Sequence, residues 1–189
     1  MLDVAIKEWS VVCDLLLDGK LAILLRKGGI HEDAGPGHFE PAYRRFAFFP
    51  SWEHQVAQRI KQAYRDRVQM FEREPQRLTF RGLGEVDPTV IWQVPHREAF
   101  DRLADLHCWT KAQIDMRFGY ESDRPLYLMA VRAYRLVKPK TVTNRPQYSG
   151  CRSWVPLEAG DEVDDHGARP VMDEAAFGLI IERIKSAFA

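Results

Sequence analysis

The tightest constraint on the fold is a set of short apolar runs, each cut off by glycine, proline or charge. Residues 21–25 stop at Arg26-Lys27-Gly28-Gly29, residues 45–49 at Pro50, residues 89–94 at Pro95, and residues 126–137 just before Pro139. Runs of this length between breakers read as buried strands. The stretches between them carry helical spacing instead. Trp9, Val12, Cys13 and Leu16 predict a helix over 3–17, which Asp18-Gly19 ends. Ser51 is placed to cap a helix over 52–67, with Trp52, Val56, Ile60 and Tyr64 on one stripe. Phe100, Leu103 and Leu106 predict a helix over 97–106. Thr110 caps another through Phe118, and Asp173 caps a last one that turns Phe177, Ile180, Ile181 and Ile184 inward.

The resulting order, α-β-β-α-β-α-α-β-β-α, lacks regular βαβ alternation. It predicts an α+β fold with a mixed or mainly antiparallel sheet flanked by helices. With 189 residues, 46% of them hydrophobic, the chain can bury a core as one domain over 1–189. The arginine-rich residues 70–88 read as a connection or an insertion. No apolar stretch nears the ~20 residues that span a bilayer, and the N-terminus lacks a basic region followed by an apolar run. Three well-separated cysteines, Cys13, Cys108 and Cys151, with no C-x-x-C pair, fit a reducing compartment; the expected location is cytoplasmic, with no membrane partner.

Net charge is zero but unevenly placed. Residues 155–189 hold eight acids against three bases, which leaves 24 bases and 19 acids, a net of +5, in residues 1–154. A basic body permits a polyanionic partner.

The charged segment after the first apolar run is the densest in chemistry. Arg26 and Lys27 beside Gly28 and Gly29 suit an anion, because glycine amides admit close approach and the cations meet phosphate. A solvated turn explains the same four residues. Neither a G-x-x-x-x-G-K-[ST] loop nor a G-x-G-x-x-G turn is present, so the nucleotide-binding loops are excluded. His31, His38 and His54 with Glu32, Asp33 and Glu53 form a set able to hold a divalent metal or supply an acid and a base, with His31, Glu32 and His54 as catalytic candidates; ordinary surface histidines explain the same residues. Metal analysis of the purified protein tests that set. Glu85 and Asp87 precede a strand that continues as Ile91-Trp92-Gln93, without the E-x-K of restriction-type nucleases. Cys108 beside His107, and Cys151, read as structural thiols.

Arginines interleave with aromatics at Tyr43-Arg44-Arg45-Phe46, Arg132-Ala133-Tyr134-Arg135 and Cys151-Arg152-Ser153-Trp154. Guanidinium groups bind phosphate and aromatic faces stack bases, which makes Arg44, Arg45, Arg132, Tyr134, Arg152 and Trp154 candidate contacts for DNA or RNA.

Several blocks together resemble an uncharacterised bacterial family, domain of unknown function 1802. They are Glu8-Trp9; Leu24-Leu25-Arg26-Lys27-Gly28-Gly29-Ile30-His31-Glu32; Phe39; Phe48-Phe49-Pro50 running into Glu53-His54-Gln55; Pro125-Leu126-Tyr127; Val131 to Leu136; and Tyr148 to Val155. Ser51 stands where the family pattern expects threonine. The resemblance implies no established activity; relatives with an attached nuclease-like domain imply DNA restriction or RNA handling. A looser similarity links the chain to PUA/ASCH-type barrels. The leading expectation is a nucleic-acid-binding protein without a cofactor. The alternatives are a metal-dependent hydrolase or phosphodiesterase built on His31, His38 and His54, and a non-catalytic interaction module.

Overall fold

A computed structural model describes residues 1–27, 41–150 and 152–189. Its architecture is α+β, as the mixed order of runs predicts. Nine strands form two sheets among these residues. One has six strands in the order β8-β1-β3-β4-β7-β9, and the other has three in the order β2-β6-β5. The strands are β1 (Val4–Trp9), β2 (Ile23–Lys27), β3 (Arg45–Ser51), β4 (Arg77–Glu85), β5 (Ile91–Gln93), β6 (Leu126–Ala130), β7 (Arg132–Thr143), β8 (Trp154–Pro156) and β9 (Arg169–Pro170). The α-helices are α1 (Ser10–Leu17), α2 (Arg97–Asp101), α3 (Lys111–Gly119) and α4 (Glu174–Phe188). Both sheets are open, so the described strands close no barrel of the PUA type. One apolar cluster draws Ile6, Phe46 and Phe48 from the large sheet and Ile23, Leu24 and Leu128 from the small one.

β1 and β3 run parallel, with Ala5 opposite Ala47 and Trp9 opposite Ser51. All other paired strands are antiparallel. A parallel pair requires a crossover, and α1 and β2 lie between its two strands in sequence. The helix expected over 3–17 is therefore a strand followed by a helix. Val4 and Ile6 are β-branched and lie between two partner strands, a place that outweighs the helical spacing of Trp9, Val12, Cys13 and Leu16. What remains helical, Ser10–Leu17, is buried at every position except Asp14.

The helix expected over 52–67 is absent. Ser51 ends β3, and its Oγ accepts the Glu53 amide at 3.2 Å in a tight turn. Short 3-10 turns follow at Ala57–Arg59 and Gln62–Arg67. Between them the backbone pairs with 108–110: Lys61 N donates to Cys108 O at 2.8 Å and Thr110 N to Arg59 O at 2.9 Å. Those groups would be consumed by an α-helix. Residues 70–88, read as a connection, contain β4, which lies between β3 and β7. Leu78 and Phe80 are buried while Arg77 and Arg81 are exposed, a period of two masked by the arginines. Gly82 follows the ladder irregularity at Phe80. A Cβ there would sit 2.2 Å from Leu17 Cδ2 and 2.4 Å from the Tyr134 carbonyl.

The run 126–137 splits at Val131, whose amide donates to Ala22 O at 2.8 Å. β6 stays in the small sheet and β7 enters the large one. Pro139 does not end β7, because it falls in the gap where the ladder jumps from Arg135 to Lys140 and no amide is required. Both remaining caps form: Thr110 Oγ1 accepts from Gln113 N, and Asp173 accepts from Ala176 N at 2.7 Å.

Candidate functional site

Because β1 and β3 are parallel, their C-terminal ends emerge at one edge. β2 also ends there with Arg26 and Lys27, and α3 with Gly150, Arg152 and Ser153 completes the walls of a cleft of about 390 Å³. Its charged lining is Lys7, Arg26, Lys27, Arg59, Arg117 and Arg152, six cations, against the carboxylates Glu8 and Glu53, with His54 at its edge. Trp9, Met116 and Tyr120 supply apolar surface. The sequence segments 26–27, 54 and 152–153 therefore converge.

Three of the cations are structural. Arg26 Nη1 bonds Glu8 Oε1 and donates to Leu25 O at 2.9 Å; Nη2 donates to Lys7 O at 3.5 Å. Arg26 and Glu8 are buried, and their pairing supplies the compensation that charges out of water need. Lys7 Nζ donates to the carbonyls of Tyr148 at 2.6 Å and Gly150 at 3.0 Å, and meets Glu53 Oε2 at 3.4 Å. It thereby ties residues 148–150 to the cleft wall. Lys27 Nζ donates to Phe118 O at 3.2 Å, and burial lowers its pKa against the pull of Asp123 and Glu121.

The other cations are not neutralised in this way. Among the described residues, no carboxylate lies within ion-pair distance of Arg59, Arg117 or Arg152. The Arg117 guanidinium lies 5.8 Å from the Trp109 ring centroid. Burial lowers its pKa, Glu8 raises it and Arg26 lowers it. Among the described residues, Gln113, buried beside it, has no partner for Oε1, and Arg26 Nε is likewise unpartnered. His54 has φ of 57°, left-handed backbone that residues other than glycine seldom adopt. The arrangement is chemically an anion receptor with an apolar side wall, since each charge-assisted hydrogen bond made there contributes about 1.5–3 kcal/mol.

The remaining residues singled out in the sequence lie elsewhere. Arg45 bonds Glu85 at 3.0 Å and Asp165 at 2.9 Å, and Arg132 pairs with Glu174. Both guanidinium groups pack on Tyr134, at 5.3 and 5.8 Å from its ring centroid. Arg44 is exposed next to them in sequence. This group sits at the start of β3, about 20 Å from the cleft at ~3.3 Å per residue. Trp154 is packed edge-on against Tyr43 at 5.3 Å and Phe46 at 5.1 Å. Gly28, Gly29, His31, Glu32, Asp33, His38 and Cys151 lie outside the described residues. Among the described residues no three metal-ligating side chains come together.

Of the two thiols read as structural, Cys108 is buried, which pushes it up to about 12, while Cys151 lies outside the described residues. Cys13 is buried as well. His107 is stacked between Phe100 and Trp109. Asp87 caps a 3-10 turn through Thr89 N at 2.8 Å, and Glu85 faces Arg45, so neither joins a nuclease-like set. The sequence reading missed Lys7, Glu8, Arg59, Gln113 and Arg117. A signal existed for two of them: Lys7-Glu8 is a charged pair inside an otherwise apolar strand.

No helix of the described residues is long and apolar enough to cross a membrane. A search of curated proteins and a search of solved structures found no match. The family model described as "Domain of unknown function (DUF1802)" matches residues 5–183, and the chain belongs to that family.

Proposed function

We propose that the chain binds nucleic acid, holding phosphate in the cleft between β1, β2 and α3. The observation that supports this reading is the charge of the lining: six cations against two carboxylates, with Arg59, Arg117 and Arg152 left without a carboxylate partner among the described residues. Trp9 and Tyr120 offer rings beside those cations, the pairing of stacking surface and guanidinium that single-stranded ligands use. The buried pair Arg26–Glu8 acts as a support that fixes the floor, and the guanidinium groups of Arg59, Arg117 and Arg152 make the contacts.

Binding of a single-stranded oligonucleotide, followed by fluorescence anisotropy across a salt series, tests the reading. Affinity falls as salt rises, with a log–log slope of about −0.7 per neutralised phosphate. The double variant Arg59→Ala/Arg152→Ala weakens binding and flattens that slope. Binding indifferent to salt, or unchanged in the double variant, rules the reading out.

A further inference from the structure

Arg59, Arg117 and Arg152 reach the cleft from three separate segments: a 3-10 turn, α3, and the approach to β8. A phosphodiester presents two free oxygens and one negative charge. A phosphomonoester presents three acceptor oxygens and a charge of about −1.5 to −2 near neutral pH. Three guanidinium groups with no carboxylate partner among the described residues match the second better, in donors and in charge.

The lining also holds a demand that phosphate cannot meet. Gln113 is only 4% exposed, and its Oε1 lacks a donor among the described residues. A sugar hydroxyl or a base amino group is such a donor; a phosphate oxygen is not. Trp9, Met116 and Tyr120 line the same cleft. At about 390 Å³ the cleft is near the lower end of small-ligand sites, about 300–1,000 Å³, and has room for one nucleotide unit.

We propose that the cleft takes the phosphorylated end of a nucleic-acid strand: a terminal phosphomonoester on Arg59, Arg117 and Arg152, with Gln113 accepting a hydrogen bond from the attached nucleoside. This inference rests on the nucleic-acid reading and narrows it from backbone binding to end recognition.

Anisotropy with four oligonucleotides of one sequence, labelled internally, tests it: 5′-phosphorylated, 3′-phosphorylated, hydroxyl at both ends, and circular. One phosphorylated form binds about tenfold or more tightly than the hydroxyl-ended and circular forms, and identifies which terminus is read. Arg152→Ala, an exposed position, removes that preference, and a thermal melt verifies its folding. Equal binding of all four overturns end recognition while leaving nucleic-acid binding intact. No binding by any of them overturns both. A preference that survives in Arg59→Ala and in Arg152→Ala removes it from this cleft.

Discussion

Glu8 and Arg26 show what a sequence conceals at the scale of single residues. Arg26 was legible as a special position from its place at the end of an apolar run, but its partner stands 18 positions earlier, on a strand read as helix. Removing one partner leaves a buried charge alone. Glu8→Gln is expected to cost about 3–5 kcal/mol, measured by urea denaturation, whereas Glu8→Leu with Arg26→Met costs much less. Equal losses in the two variants would contradict the pairing. His107 makes a second case. Burial, then the charges of Lys61 and Arg97, hold its imidazole down at about 3. In the unfolded chain it titrates near ~6.5, so the unfolded state binds the proton first. The stability it contributes is complete above about pH 6.5 and is lost as the pH falls toward 3, at up to ~1.4 kcal/mol per unit. His107→Phe keeps a ring between Phe100 and Trp109 and removes that component. Urea midpoints at neutral and mildly acidic pH measure it, and an unchanged acid loss in the variant would refute it.

At the scale of elements, capping side chains read truly where the following residues were free to coil. Thr110 and Asp173 cap helices as their spacing predicts. Ser51 does not, because the backbone at 59–61 is drawn to 108–110 instead. β1 was hidden because its apolar residues fit both periods, and β4 because arginines on its outer face disguised the alternation of Leu78 and Phe80. Within β4, Gly82 has no room for a side chain: its would-be Cβ meets Leu17 and the Tyr134 carbonyl. Gly82→Ala is expected to destabilise by about 1–3 kcal/mol. Gly178→Ala in α4, where nothing lies within 4 Å, should stabilise by about 0.4–1 kcal/mol. Chemical denaturation of the two variants separates close packing from backbone entropy, and the same sign in both would contradict this account.

Across the whole molecule, the uneven charge of the sequence has a spatial resolution. The acidic C-terminal stretch folds back on the basic body: Asp165 holds Arg45, Asp161 holds Arg145, and Glu174 holds Arg132. Arg45 and Arg132 at the start of β3 are thereby paired, whereas the cleft keeps three guanidinium groups without a carboxylate partner among the described residues. Composition reported the imbalance but not its location, because the pairs join residues up to 120 positions apart. Arg132→Ala and Arg45→Ala are accordingly expected to leave oligonucleotide affinity within about twofold of the native chain, since both guanidiniums are already spent on carboxylates. A loss comparable to that of Arg59→Ala/Arg152→Ala, in the same anisotropy assay, would move the interface to that face.

The parallel pairing of β1 with β3 has a consequence for when the cleft exists at all. Its walls are drawn from residues 7 to 153, and the strand ends that form its floor meet only after a crossover has closed. No fragment or early folding intermediate holds the complete lining, so a ligand in the cleft selects the finished fold. Occupancy and folding are then one linked equilibrium, and the melting temperature becomes a titration curve for whatever the cleft receives.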